Sequence, residues 1–169
     1  IDMNTQQVTE IVNDPEQMQQ FYEEHKTDIW IGFNSRHYDQ YILKAILCGF
    51  NPKEVNDFII VQDEPGWKFS SLFRKIPLNN YDVMFEKDPG LKVFEGFMGN
   101  NIKESSVPFD IDRKLTQKEI EETIKYCRHD VEQTIEVFLH RIDEFNIMMY
   151  FINHFGFPIS YISKTKSQL

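Results

Sequence analysis

The sequence predicts an α/β layered domain, and three observations carry that prediction. The apolar run IWIGF, residues 29–33, has the length and the lack of polar alternation of a buried central strand. Helical patterns on both sides of it alternate with strand-like segments, the order that stacks helices on a sheet. Thr116 and Glu119 form a T-x-x-E capping box that opens a long amphipathic helix.

The opening stretch, IDMNTQQVTEIVN, reads as two strands or strand ends around a polar turn at Asn4–Gln7. Asp14 as N-cap and Pro15 at the first helical position then start a helix whose apolar face is Met18, Phe21 and Tyr22. The run at 29–33 ends at Asn34 and Ser35. A helix from about Arg36 to Cys48 follows, burying Tyr38, Tyr41, Ile42, Ala45 and Leu47–Cys48, with Gly49 as its stop. Asn51-Pro52 begins a third helix, which DEPGW breaks, and IPLNNYDVM is a further strand ending near Met84. Pro89 opens a helix over Leu91–Met98, closed by Gly99, and a polar loop, NNIKESSVPFDIDRK, leads to the capping box. Apolar residues then recur at Ile120, Ile124, Cys127, Val131, Ile135, Phe138, Ile142, Phe145 and Met149, until Pro158 ends the pattern. That stripe fits one extended helix or two with a kink.

Composition bounds the function. With 41% hydrophobic and 14% aromatic residues, 15 Phe and 7 Tyr among them, the 169-residue chain has the material for a core and is not a disordered segment. The net charge of −9 excludes a protein whose task is to coat nucleic acid electrostatically. It does not exclude an enzyme acting on nucleic acid, because carboxylates gathered around metal ions leave the metals to meet phosphate. Cys48 and Cys127 fall on apolar helical faces and read as buried thiols in a reducing compartment. No apolar run approaches membrane-span length and no signal-peptide pattern leads the chain, so a soluble, cytoplasmic protein without a membrane partner is expected. His25, His37, His129, His140 and His154 lack metal-ligand spacing and read as solvated or hydrogen-bonded residues, His129 as one on a helix surface.

Two groups of residues raise a sharper expectation. Tyr126 and Asp130 lie four apart, about 40° round the helix and hence on one face. Cys127 and Val131 continue the apolar stripe one residue further on, which would put the pair at the margin where the helix leaves the core. Asp39 lies in the first turn of the helix after 29–33, and functional groups in open α/β sheets gather at the carboxyl ends of strands. The helix macrodipole also favours an aspartate there. Asp82 reads as a strand-end residue, and Asp110 and Asp112 as loop residues. Lys68, Arg74, Lys75, Arg113, Lys114, Lys125 and Arg128 are candidates to line a nucleic-acid path.

These pieces resemble the 3′→5′ exonucleases of the DEDD superfamily. FNSRHYD resembles the second motif of that family, in which Asn precedes an aromatic residue and an Asp. YCRHD resembles the third motif in its tyrosine form, Tyr-x-x-x-Asp; Lys125 stands where the histidine form would have His. YDVM followed by GLKVFEGFMG is similar to the strand and helix that link these motifs in proofreading domains. The wording FNSRHYDQYILKAIL, SSVPFDIDRKLT and YCRHDVEQT is closest to the exonuclease domains of DNA polymerases from phages and prophages of Gram-positive bacteria. The resemblance implies a ribonuclease-H-like mixed sheet flanked by helices over residues 1–150, with 151–169 beginning an extension or linker to a following domain. It implies two Mg²⁺ or Mn²⁺ ions held by carboxylates, with Asp130 on the first ion and Asp39 on the second. Tyr126 would orient the attacking water, and Asn34 and Arg128 would contact a single-stranded DNA 3′ end. Phe33 and Tyr38 read as packing rather than base-stacking residues.

The first motif of the family, Asp-x-Glu on the opening strand, has no match; Asp2-x-Asn4 has the wrong partner in the wrong place. The resemblance therefore puts that acidic pair upstream of Ile1, in a parent polymerase of which this would be a truncated domain lacking its first strand. A gap left in the sheet would be filled from upstream or by a domain-swapped homodimer. Two other classes fit the same residues: a non-catalytic ribonuclease-H-like module binding nucleic acid or protein, and an RNA exonuclease resembling ribonuclease D. The expected outcome of a Mg²⁺-dependent assay on single-stranded DNA is little or no cleavage by the 169 residues alone, since two of four metal carboxylates would be absent; robust cleavage overturns that.

Overall fold

A computed structural model describes the chain except residues 86, 87, 101–105, 108–110, 112, 166, 167 and 169. Asp110 and Asp112 lie outside the described residues. The described chain is mixed α/β: six α-helices, a two-stranded parallel sheet and three short 3-10 turns. It divides into two compact units, Ile1–Met84 with Asp143–Leu169, and Phe85–Ile142.

In the first unit, helix α1 (Pro15–His25) starts as its sequence predicts. Asp14 caps it by accepting from the Gln17 N–H at 2.9 Å, and Pro15 stands at its first turn, where no N–H is needed. Strand β1 (Ile29–Gly32) leads through a tight turn to helix α2 (Asp39–Leu47), and Asn51 caps helix α3 (Pro52–Ile60) through the Lys53 N–H. Strand β2 (Asn79–Asp82) runs parallel to β1 in the register Ile29–Asn79, Trp30–Asn80, Ile31–Tyr81 and Gly32–Asp82. Two parallel strands need a crossover, and α2 and α3 supply it.

The crossover has its own core. Ala45, Val55 and Phe73 are buried there, with Tyr41, Ile42, Cys48, Phe50, Ile59 and Phe69 packed around them. Phe50, Phe69 and Phe73 meet pairwise with ring centroids 5.6–6.0 Å apart. Residues 151–169, expected to begin an extension, are grouped with this unit. Ile162 is fully buried there, and the Ser163 hydroxyl accepts from the Asn80 N–H at 2.9 Å and donates to the Leu78 carbonyl at 3.2 Å. Helix α6 (Ile142–Phe155) sets Phe145 edge-on to Tyr81 at 5.1 Å.

Two expectations about the sheet need correcting. Residues 1–13 form no strand. Asp2 closes the opening turn on itself, its side chain taking the Asn4 N–H at 2.7 Å and its backbone exchanging bonds with Gln6 and Gln7. A short polar side chain that bonds its own backbone competes with a ladder, and Val8 and Val12 stay exposed. The apolar β1 is also not the buried central strand: all four of its residues are half-buried. All four of β2, two asparagines and an aspartate among them, are buried instead. That polarity is met in part by side-chain bonds: Asn79 Nδ2 donates to the Thr27 carbonyl at 3.1 Å and the Asn80 carbonyl oxygen accepts from the Ser35 hydroxyl at 2.9 Å, while Asn80 Nδ2 is enclosed without a partner.

In the second unit, helix α4 (Leu91–Phe97) packs on helix α5 (Gln117–His140). Gly90 caps α4, so Pro89 falls just outside the helix, and Gly99 follows it with φ +79°. The capping box is complete: the Glu119 N–H reaches the Thr116 hydroxyl, and the Glu119 carboxylate returns to the Thr116 N–H. Arg113 adds two bonds to that carboxylate, which with the Thr116 donors holds it down to about 2. At the far end, Arg141 forks onto Asp88 and lies over the rings of Phe85 and Phe94. The long apolar stripe resolves into two helices, with the break at Arg141.

Gly66, buried beside the crossover, is a position where only hydrogen fits: a Cβ there would stand 2.3 Å from the Tyr41 ring and 2.9 Å from Ile59. Gly66→Ala is expected to destabilise the fold by about 1–3 kcal/mol, the usual cost of overpacking, read as a lowered urea midpoint at unchanged m-value.

Candidate functional site

The first unit builds its candidate surface at the turn from β1 to α2. Gly32 ends the strand where a Cβ would lie 2.5 Å from Ser35 Cβ, so the chain can reverse only with glycine there. Asn34 takes a left-handed conformation, φ +57°, which Asn tolerates better than most residues. The Asp82 carboxylate, 5% exposed, gathers the turn, accepting from the N–H groups of Asn34 at 2.9 Å, Arg36 at 2.8 Å and Met84 at 3.0 Å. Asp82 is thus more than a strand-end residue: it orders the segment carrying Asn34, Arg36, His37 and Asp39. Asn34 and Asp39 are both exposed, Asp39 as the first residue of α2. Tyr38 donates to Asn56 at 2.7 Å, and burial, with Asp39 and Asp57 nearby, raises its hydroxyl above the ordinary phenol range. That fits the packing role expected of it.

The second unit holds Tyr126 and Asp130. Their side chains hydrogen-bond to each other, one turn apart on α5, and Lys92 of α4 reaches the Tyr126 hydroxyl with its ammonium 5.6 Å from the ring centre. Burial raises both groups. For Tyr126 the Asp130 charge adds to the rise; for Asp130 the Glu95 charge adds to it, and the Tyr126 hydrogen bond opposes it. Glu95, on α4, is fully enclosed, and neither of its carboxylate oxygens has a hydrogen-bond partner. His129 Nε2 faces one of them at 3.5 Å, an ion-pair distance too long for a good hydrogen bond. Below this group, Asn100 donates to Gln133 at 2.8 Å and to Glu136 at 2.6 Å, tying the end of α4 to α5.

The packed face of α5 differs from the one its apolar residues predict. Cys127 is exposed and Val131 is 38% exposed, whereas Gln133, Thr134 and Val137 are buried; Phe138, which the apolar stripe does include, is buried too. Tyr126, Asp130, Gln133 and Val137 succeed one another at steps of four, three and four, so the pair, half-buried, continues the packed face toward the start of the helix. Polar groups win that face because α4 meets them with Lys92 and Glu95. Cys127 is accordingly not a buried thiol, and Cys48 is only half-buried. His129, 11% exposed, is not a helix-surface residue.

Arg128 is exposed and, two residues from both Tyr126 and Asp130, projects about 160° away from each. Of the site residues expected from sequence, the second unit therefore joins Tyr126 to Asp130 and leaves Arg128 apart, while Asn34 and Asp39 belong to the first unit. Among the basic residues, Lys68 pairs with Glu64 at 2.8 Å and Arg113 with Glu119 at 2.7 Å. Among the described residues, no three His, Cys, Asp or Glu side chains are grouped to hold a metal ion. Glu95 and Lys92 were missed by the sequence reading. The signal that could have found them is their spacing of three on α4, which places both against α5. No family model, curated protein or solved structure matches the chain.

Because the Asp130 carboxyl is raised, folding works against its charge: the penalty is absent below the ordinary aspartate pKa of about 3.9 and grows as pH rises through the folded value. Asp130→Asn, in EDTA, is expected to be more stable than the wild type at pH 7, with the gain vanishing as pH falls below about 4. Urea unfolding of both proteins across pH measures the difference.

Proposed function

We propose that these residues form part of a 3′→5′ exonuclease of the DEDD superfamily, in its tyrosine form, cutting nucleic-acid phosphodiesters as the proofreading part of a phage or prophage DNA polymerase. The observation that supports it best is the Tyr126–Asp130 pair: an acid and a phenol bonded to each other, anchored on the packed side of a capped helix, with the acid paying a folding cost for its charge. A ribonuclease-H-like sheet is part of the same proposal.

All the donors in question are carboxylate or phenol oxygens, which suit hard divalent cations such as Mg²⁺ or Mn²⁺. When bound, such ions polarise the phosphodiester and make water a better nucleophile. Asp130 and Asp39 would hold them. Tyr126 would orient the attacking water through its hydroxyl, which burial makes still harder to ionise than an ordinary phenol. Asn34, exposed on an ordered turn, would take the substrate strand's backbone.

The test is hydrolysis of a 5′-labelled single strand by the protein that contains these residues. Stepwise shortening from the 3′ end should require Mg²⁺ or Mn²⁺. It should fall by about 100-fold or more in Asp39→Asn and in Asp130→Asn, and by less in Tyr126→Phe. Cleavage that survives both aspartate changes defeats the proposal.

A further inference from the structure

We infer that the first unit carries a nucleobase pocket beside the Asp39 turn, which receives one nucleotide of a single strand. The choice of nucleic acid as ligand rests on the nuclease reading; the pocket itself does not. A cavity of about 530 Å³ opens between the start of α2 and the segment after α3, a size that takes a nucleotide. Arg36, His37 and Tyr41 line one side of it, and Asp63, Glu64 and Trp67 the other.

Three features define what would fit. Trp67 is 52% exposed and lines the cavity instead of the core, with the Lys68 ammonium 5.9 Å from its ring centre. An indole so placed is a stacking platform that every base can use. Arg36 Nε is buried without a hydrogen-bond partner, and among the described residues no carboxylate pairs with this guanidinium. Its backbone is held from both sides, N–H on Asp82 and carbonyl on the Gln40 side-chain amide, so the donor is presented in a set position. Nε itself is enclosed, so a base carbonyl or a phosphate oxygen in the cavity would bond the terminal nitrogens of the guanidinium. Finally, the lining carries Arg36 against the carboxylates of Asp63 and Glu64, and Lys68, next to the lining, pairs with Glu64 at 2.8 Å, so the charges balance. A bare phosphate site would be positive; a balanced lining with an aromatic wall suits a base, with its phosphate at the Arg36–His37 edge. Those two residues precede Asp39 by three and two positions, so a nucleotide seated there would lie beside the turn that carries Asp39.

Fluorescence anisotropy of the whole chain with labelled oligothymidylate, in EDTA, tests this without any cleavage. The wild type should bind the thymidylate strand more tightly than an abasic strand of equal length. Trp67→Leu should weaken thymidylate binding by about tenfold or more and leave abasic binding unchanged. Arg36→Gln should weaken thymidylate binding, with Arg36→Lys recovering part of it. Matching urea midpoints separate a binding effect from loss of fold; should Trp67→Leu fail to fold, Trp67→Phe should keep part of the base-dependent binding. Wild-type affinity in Trp67→Leu, equal binding of abasic and thymidylate strands, or no binding by the wild type overturns the pocket. Asp130-dependent cleavage persisting alongside any of those results leaves the nuclease reading standing; base-dependent binding without cleavage defeats that reading and keeps the pocket.

Discussion

The Asp82 carboxylate is the interaction on which the first unit depends. It ends β2, sits directly across from Gly32 in the parallel register, and receives three backbone N–H groups, two of them from the turn that leaves β1. Hydrogen bonds to an ionised acceptor are about twice as strong as neutral ones, and in a buried setting the loss of such an acceptor strands every donor at once. Asn34 can hold its left-handed backbone, and Arg36 its set direction, because Asp82 is there. The pairing of the two strands and the placement of the exposed residues on the turn are therefore one arrangement.

The second unit solves a different problem with similar means. An apolar contact between α4 and α5 would have been the simpler way to pack two helices. Instead a fully enclosed Glu95, a nearly enclosed His129 and the Tyr126–Asp130 pair occupy much of the contact, and apolar residues such as Cys127 and Val131 face outward. Burying charge in this way costs stability that hydrophobic packing would have supplied. Stability is recovered at the ends: the capping box reinforced by Arg113, and the Arg141 fork on Asp88 with two aromatic rings beneath it. A helix strongly fixed at both ends can carry an unfavourable middle.

Legibility followed the range of the interactions. Local signals were read correctly: Asp14-Pro15, Asn51-Pro52 and Thr116 with Glu119 each open a helix at the residue expected, and Tyr126 and Asp130 share a face. Signals that need a distant partner were not. Residues 1–13 alternate well enough for strands, yet the Asp2 side chain offered a closer bond than any ladder. Stripe counting assigned the buried side of α5 to its apolar residues, because periodicity cannot see that the neighbouring helix brings a carboxylate and an ammonium.

From the sequence alone came the mixed α/β class, the starts of α1, α3 and α5, and the placing of a tyrosine and an aspartate one turn apart on one face, since capping, proline geometry and the 3.6-residue repeat act within a few positions. Only the tertiary structure decided that the polar β2 is buried and the apolar β1 half-exposed, that Asp82 organises the Asn34–Asp39 turn, and that Glu95 sets the environment of Asp130. Each of those rests on groups tens of residues apart meeting in space, where the energy of a bond or a buried charge depends on the partner rather than on the residue itself.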